Sequence, residues 1–267
     1  MGIALLCFAN LLLSVLVTRL FSAQMFYHFT FMAVGLAMFG IAASGVSVFL
    51  NADKFKQDLQ GNLAKYSRWF AVATLVSLVY TLSNPIFPGG EVPSWSIRVF
   101  WQLVMLIVAT ALPFYFAGVV VSLALSFFKE NVNRVYFYDL VGAACAALTG
   151  GILIGVFGGP TTVLVTVLLA LVAAALFERR TGLGKWMLPA LGAALVMFNL
   201  VKPVFRVGAV KWEASPRFEK WNAFSRITVD RGNNIKIDAG AATIVHNLAD
   251  LKPGMEKSKI TALALST

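Results

Sequence analysis

Tyr136 to Pro160 reads YFYDLVGAACAALTGGILIGVFGGP, with a single carboxylate, Asp139. Its apolar run is about as long as the ~20 residues that carry a helix across a bilayer. Gly142, Ala146 and Gly150 recur every four residues, as do Ala143, Ala147, Gly151 and Gly155, so two adjoining stripes of this helix carry almost no side chain. Another backbone can come close there, and in lipid such contact, not hydrophobicity, drives helices together. The stretch therefore predicts the central helix of a helical membrane domain. A bulky residue at Gly150 is expected to force backbones apart.

Working outward, 59% of the 267 residues are hydrophobic and 13% charged, against roughly 45–50% and 25% in an ordinary soluble domain. This composition predicts an all-α polytopic membrane bundle with the lipid bilayer as its surroundings. The formal charge of +10 does not point to nucleic acid, because much of the excess lies in short loops between apolar runs, where it orients helices. Cys7 and Cys145 lie inside apolar runs with no neighbour at metal-ligand spacing, which marks them as small packing residues. No basic residues precede the first run and no small-x-small cleavage site follows it, so that helix is expected to be retained.

Seven runs could span: Ile3–Phe21, Tyr27–Leu50, Trp69–Leu82, Val99–Phe128, Tyr138–Phe157, Thr161–Phe177 and Trp186–Val201. The third and seventh fall short of the usual ~17-residue minimum, so each is either extended by its flanks, set in a thinned bilayer, or not a crossing. Asn51–Ser67, with Phe55, Leu59 and Leu63 four apart, predicts an amphipathic surface helix. Ser83–Trp95, rich in Pro and Gly, predicts an exposed loop. Pro113 in the middle of the fourth run predicts a kink. The uncharged Gly158-Gly159-Pro160 connection predicts antiparallel neighbours.

The domain boundary falls at 201/202. Residues 202–267 carry 11 Lys/Arg against 6 Asp/Glu and no further spanning run. Ser225–Val229 and Ile235–Asp238 predict two strands joined at Asp230–Asn234. The tail is expected to rest on the membrane domain or to begin a larger soluble one.

Thr18-Arg19-Leu20-Phe21, Leu112-Pro113-Phe114 with Ala117-Gly118, Tyr138-Asp139-Leu140-Val141-Gly142-Ala143 and Gly158-Gly159-Pro160 resemble the membrane-embedded spermidine synthase-like proteins. Trp221-Asn222-Ala223-Phe224-Ser225-Arg226-Ile227-Thr228-Val229 and Ile235-Lys236-Ile237-Asp238-Ala239-Gly240 are similar to the start of that family's soluble aminopropyltransferase-type domain. The resemblance implies a multi-helix domain of a bacterial plasma membrane followed by a short β-region and a Rossmann-like nucleotide fold. Ser225 and Arg226 stand where soluble members have a Tyr-Gln pair, and Ala241 or Ala242 where they have a Gln. The family's glycine-rich loop and catalytic acid would come later than Thr267. No catalytic, cofactor-binding or metal residue is carried over, and the chain reads as an anchor or accessory to a catalytic domain that is separate or absent, or as a homo-oligomer.

One polar intramembrane site suggests itself. Ionisable groups in membranes are costly and tend to serve a role, so Asp139 with Tyr136 and Tyr138 is a candidate ion or amine site, and Arg19 a candidate partner. The plainer alternatives are a carboxylate in the first turn of its helix and an Arg snorkelling to headgroups. His28 beside Tyr27 suits an aromatic belt, and Asn10, Gln102 and Asn199 suit interhelical hydrogen bonds. A solute or amine transporter and a structural or sensory subunit remain alternative functions.

Overall fold

The computed structural model describes residues 1–25, 29–84, 96–128, 131–179, 182–208, 216–230 and 234–244. Tyr27 and His28, the stretch 85–95, Lys129, Arg180, Ser215 and the chain after Ile244 lie outside the described residues. The helices are α1 (Gly2–Gln24), α2 (Phe29–Leu50), α3 (Ala52–Gln57), α4 (Leu59–Ser83), α5 (Ile97–Phe127), α6 (Val132–Phe157), α7 (Gly159–Phe177) and α8 (Met187–Val201), the last preceded by a 3-10 turn at Leu183–Trp186. Six segments are long and apolar enough to cross a membrane: α1, α2, α5, α6, α7 and the 3-10 turn with α8.

Close contacts between the long helices give their directions. Gly142 of α6 lies against Ala4 and Phe8 of α1, and Gly150 against Leu12, so α1 and α6 run parallel. Gly2 meets Phe177, which sets α1 antiparallel to α7. Gly192 of α8 meets Leu168 and Leu171 of α7, while Asn199 reaches back to Thr161, so α8 is antiparallel to α7 and matches most of its length. The bundle is an up-and-down arrangement of seven long helices in which α1, α2, α5, α4 and α7 pack in a ring, with α6 against α1 and α8 against α7. With seven passes, the N-terminus and the C-terminal sheet stand at opposite ends.

The expectation that the fifth apolar run, now α6, is central is overturned. α7 is the most enclosed long helix, whereas α6 buries only Val135, Gly142, Ala146, Gly150 and Ile154. One small-residue stripe packs on α1 as the spacing requires. The other does not pack on a helix: Gly155 has nothing within 4 Å of a Cβ position, and Gly151 meets Ala223 of the C-terminal region. Two adjoining stripes cannot both be used when a helix has neighbours on one side.

The two short runs are extended by their flanks. The third belongs to α4, 25 residues long, which absorbs most of the predicted surface helix and leaves only α3 separate. α4 falls short in hydropathy because it is polar on the inside: Ser67, Thr74, Ser77 and Thr81 are buried, while Trp69, Val72, Val76 and Val79 are exposed. Ser67 donates to the Leu63 carbonyl at 2.8 Å, which satisfies its hydroxyl within the helix. α5 runs unbroken through Pro113, and Gly40 of α2 fits against the backbone of Ala111 and Tyr115 beside it.

The sheet is an antiparallel meander of β1 (Phe218–Trp221), β2 (Arg226–Val229), β3 (Asn234–Ile237) and β4 (Ala241–Ile244). The expected hairpin pairs Val229 with Ile235 and Ile227 with Ile237; β1 and β4 lie outside the expectation. β3 and β4 are joined through Asp238 and Ala239, both at positive φ (50° and 52°), as a tight hairpin turn demands.

The glycines differ sharply in room. A Cβ at Gly142 would sit 2.3 Å from the Ala4 carbonyl oxygen, whereas one at Gly150 meets only the movable end of Leu12 at 3.3 Å. The tight position is therefore Gly142 and not Gly150. Gly142→Leu is expected to cost about 1–3 kcal/mol or more through forced separation of α1 and α6, and Gly155→Ala nothing measurable, in thermal unfolding of purified protein. Equal melting of the two variants contradicts this packing.

Candidate functional site

The four residues of the expected intramembrane site do not come together. Asp139 is the eighth residue of α6, well past its first turn, so the reading as an N-terminal carboxylate is corrected. It faces the thiol of Cys7 near the start of α1. Arg19 lies twelve residues further along α1, about 18 Å away at 1.5 Å per residue. Tyr136 is exposed and the Tyr138 ring lies against Phe137 at 5.9 Å. Of the three expected amide partners, Asn199 bonds Thr161 of α7 at 3.0 Å and the Phe205 backbone N–H at 2.8 Å, the Asn10 side-chain oxygen is buried without a partner among the described residues, and Gln102 accepts from the Tyr80 hydroxyl through its backbone carbonyl.

Among the described residues, one small interior space lies between α4, α1 and α7. Thr74, Ser77 and Thr81 of α4 face Leu13, Val17, Leu20, Phe21 and Val163 across a space of about 10 Å³, room for one water. The Thr74 hydroxyl has no hydrogen-bond partner among the described residues, a polar group that a single water would satisfy.

The polar chemistry instead gathers where the sheet meets the ends of α1, α6, α7 and α8. Arg19 donates to the Phe224 carbonyl at 2.9 Å, and Ser22 donates to the Asp238 carboxylate at 3.0 Å. The other Asp238 oxygen accepts from the Arg226 backbone N–H at 2.8 Å, so one carboxylate ties β2, the β3–β4 turn and α1 together. Arg226 is fully buried, and its guanidinium donates to Glu219 at 2.9 Å and to the Val207 carbonyl. Glu219 also accepts from the Trp221 indole at 2.8 Å. The Trp221 ring in turn covers Gly159, within 3.0 Å of a Cβ position. Gly158 takes φ +79° at this corner; with Gly159 it gives α6 and α7 a turn without side chains, and the indole takes the space. Ala223 packs on Gly151, two turns below the end of α6.

Beside this junction lies an open cleft of about 460 Å³ between Gly155, Val156, Phe157, Pro160 and Thr161 on the bundle and Phe205, Arg206, Lys220 and Trp221 on the sheet side. A smaller hollow of about 310 Å³ continues from it past Arg206 and Glu219 to Arg217. No sequence motif singles out the two cations of this cleft. The signal they do leave is the alternation of cations with aromatic and apolar residues after the last helix, from Lys202 through Phe205 and Arg206 to Lys220 and Trp221. Among the described residues no group of three His, Cys, Asp or Glu side chains is placed to hold a metal ion.

Removing the Asp238 carboxylate leaves the Arg226 backbone N–H and the Ser22 hydroxyl without this acceptor, a loss of about 1–3 kcal/mol for two half-buried donors. Asp238→Ala is expected to expose the sheet to limited proteolysis while the helical bundle melts as in the wild type. Unchanged cleavage would show that the carboxylate does not hold the junction. Comparison with family models, with curated proteins and with solved structures gives no match to this chain.

Proposed function

We propose that the chain is a multi-pass integral membrane domain that holds a β-sheet module against one face of the bilayer, as anchor or accessory to a spermidine synthase-like partner domain and without catalysis of its own. The observation that carries this reading is that part of the family-like set meets at one junction, while residues 112–114, Gly118 and residues 138–143 lie elsewhere in the bundle. Arg19, Gly158, Gly159, Trp221, Ala223, Phe224, Arg226 and Asp238 all make contacts between sheet and helix ends or within the sheet that docks there. A scaffold needs such a fixed attachment, and a loosely tethered tail does not.

The membrane reading rests on six long apolar helices and on outward faces such as Phe31, Phe49 and Leu148, each more than three-quarters exposed. Soluble monomers rarely expose continuous apolar surface on this scale. The connecting segments at the N-terminal end hold nine basic residues (Lys54, Lys56, Lys65, Arg68, Lys129, Arg134, Arg179, Arg180 and Lys185), against Arg19 and Arg98 at the other end. By the positive-inside rule the nine are cytoplasmic, with a bacterial plasma membrane as the setting. The sheet then faces away from the cytoplasm, which runs against a domain that uses a cytosolic nucleotide standing on it, and the crossing by α8 is the step on which this placement depends.

Two measurements test this. Alkaline carbonate should leave the chain in the membrane fraction, and in a background lacking Cys7 and Cys145, Arg217→Cys should react with an impermeant maleimide on intact cells while Lys185→Cys should not. Labelling of both from the same side, or release by carbonate, sinks the topology. Calorimetry of residues 1–267 should show no saturable binding of decarboxylated S-adenosylmethionine, because such a ligand needs a strand-to-helix turn of a parallel sheet and the described strands form only an antiparallel meander. Micromolar binding overturns the accessory role.

A further inference from the structure

We propose that the cleft between the end of the bundle and the sheet binds the phosphate of an anionic phospholipid, with Arg206 and Lys220 as its cationic groups. The site belongs to the membrane reading above and adds a ligand to it. Its charge balance is the first argument. Glu219 is the one acidic residue lining the cleft among the described residues, and it is engaged by the buried Arg226 guanidinium and the Trp221 indole. Arg206 and Lys220 are exposed and make no ion pair or hydrogen bond among the described residues. Among the described residues the lining is therefore net positive, and Arg217 extends it through the adjoining hollow.

The second argument is where the cleft opens. Its bundle wall is the last turn of α6, where Val156 is 70% exposed and Gly155 has nothing within 4 Å of a Cβ position. One turn below, Ile152 is 65% exposed on the same helix. An acyl chain can lie along this apolar flank while its headgroup enters the cleft, a geometry that a free phosphate compound would leave half unused. The volume of about 460 Å³ is sufficient for a phosphoglycerol group. α7 also starts at the cleft floor without a side-chain cap, so its partial positive charge adds to that of the two cations. Basic pockets between membrane helices bind anionic headgroups by the same charge complementarity.

The test is native mass spectrometry of the purified full chain in detergent with equal amounts of phosphatidylglycerol and phosphatidylcholine. Wild type and Lys185→Ala should retain phosphatidylglycerol preferentially, and Arg206→Ala/Lys220→Ala should lose that preference by on the order of tenfold. Gly155→Trp, which blocks the apolar flank and leaves both cations, should also lose it. Equal retention of the two lipids by the wild type, or an unchanged preference in the double variant, overturns the site. Displacement of phosphatidylglycerol by millimolar inorganic phosphate, with retention unaffected in Gly155→Trp, assigns the cleft to a soluble phosphate and overturns the lipid. Failure here in a chain that resists carbonate extraction removes only this site; release by carbonate removes the membrane reading itself.

Discussion

Close backbone approach at Gly40, Gly118 and Gly142 is the constraint that orders the bundle. Helices that are apolar all round have no polar face to tell them which side to bury, so the orientation is set where two backbones can touch. Gly142 admits the Ala4 turn of α1, Gly40 admits the α5 backbone beside Pro113, and Gly118 admits Ser44 of α2. These contacts fix α6 on α1 and α2 on α5 in parallel pairs. α7, with Ala170, Ala173 and Ala174 buried, then fits between α1 and α4.

The helical architecture and most helix positions are legible in the sequence, because an apolar run of about twenty residues suits a membrane-length helix and little else. The ranking of helices by burial is not. Small-residue stripes identify faces that permit contact, and α6 carries two, but a second stripe does not supply a second neighbour. α4 misleads for the opposite reason: its Ser and Thr residues lower the hydropathy while facing inward, so a scale that rewards apolar content marks the packed helix as the doubtful one. The hairpin of β2 and β3 is legible from its β-branched residues. β1 and β4 are not, since Phe218–Trp221 includes Glu219 and Lys220, and the inward residues of β2 are Arg226 and Thr228, polar where strand patterns expect apolar.

The candidate site shows the same division. Arg19 and Asp238 each stand out, one as an intramembrane cation and the other as a turn residue, but their partners are a loop carbonyl and a serine hydroxyl, groups with no pattern of their own. Residues 205 and 216 positions apart in the chain meet here, and no local spacing encodes such a meeting. Asp139 and Arg19 do not pair, although two charges in apolar helices attract attention together, because parallel helices keep them at different heights.

The inward polarity of α4 also bears on the order in which the chain is built. A helix that turns Ser67, Thr74, Ser77 and Thr81 to the inside is less suited to lipid on all sides than its neighbours. Its cover comes from α5, which follows directly, and from α7, which is synthesised much later. Arg68, in the N-terminal half of α4, meets its counter-ion, Glu178, 110 residues further along the chain. The enclosure of α4 and the neutralisation of Arg68 thus both depend on α7, so the two helices, far apart in the chain, are completed together.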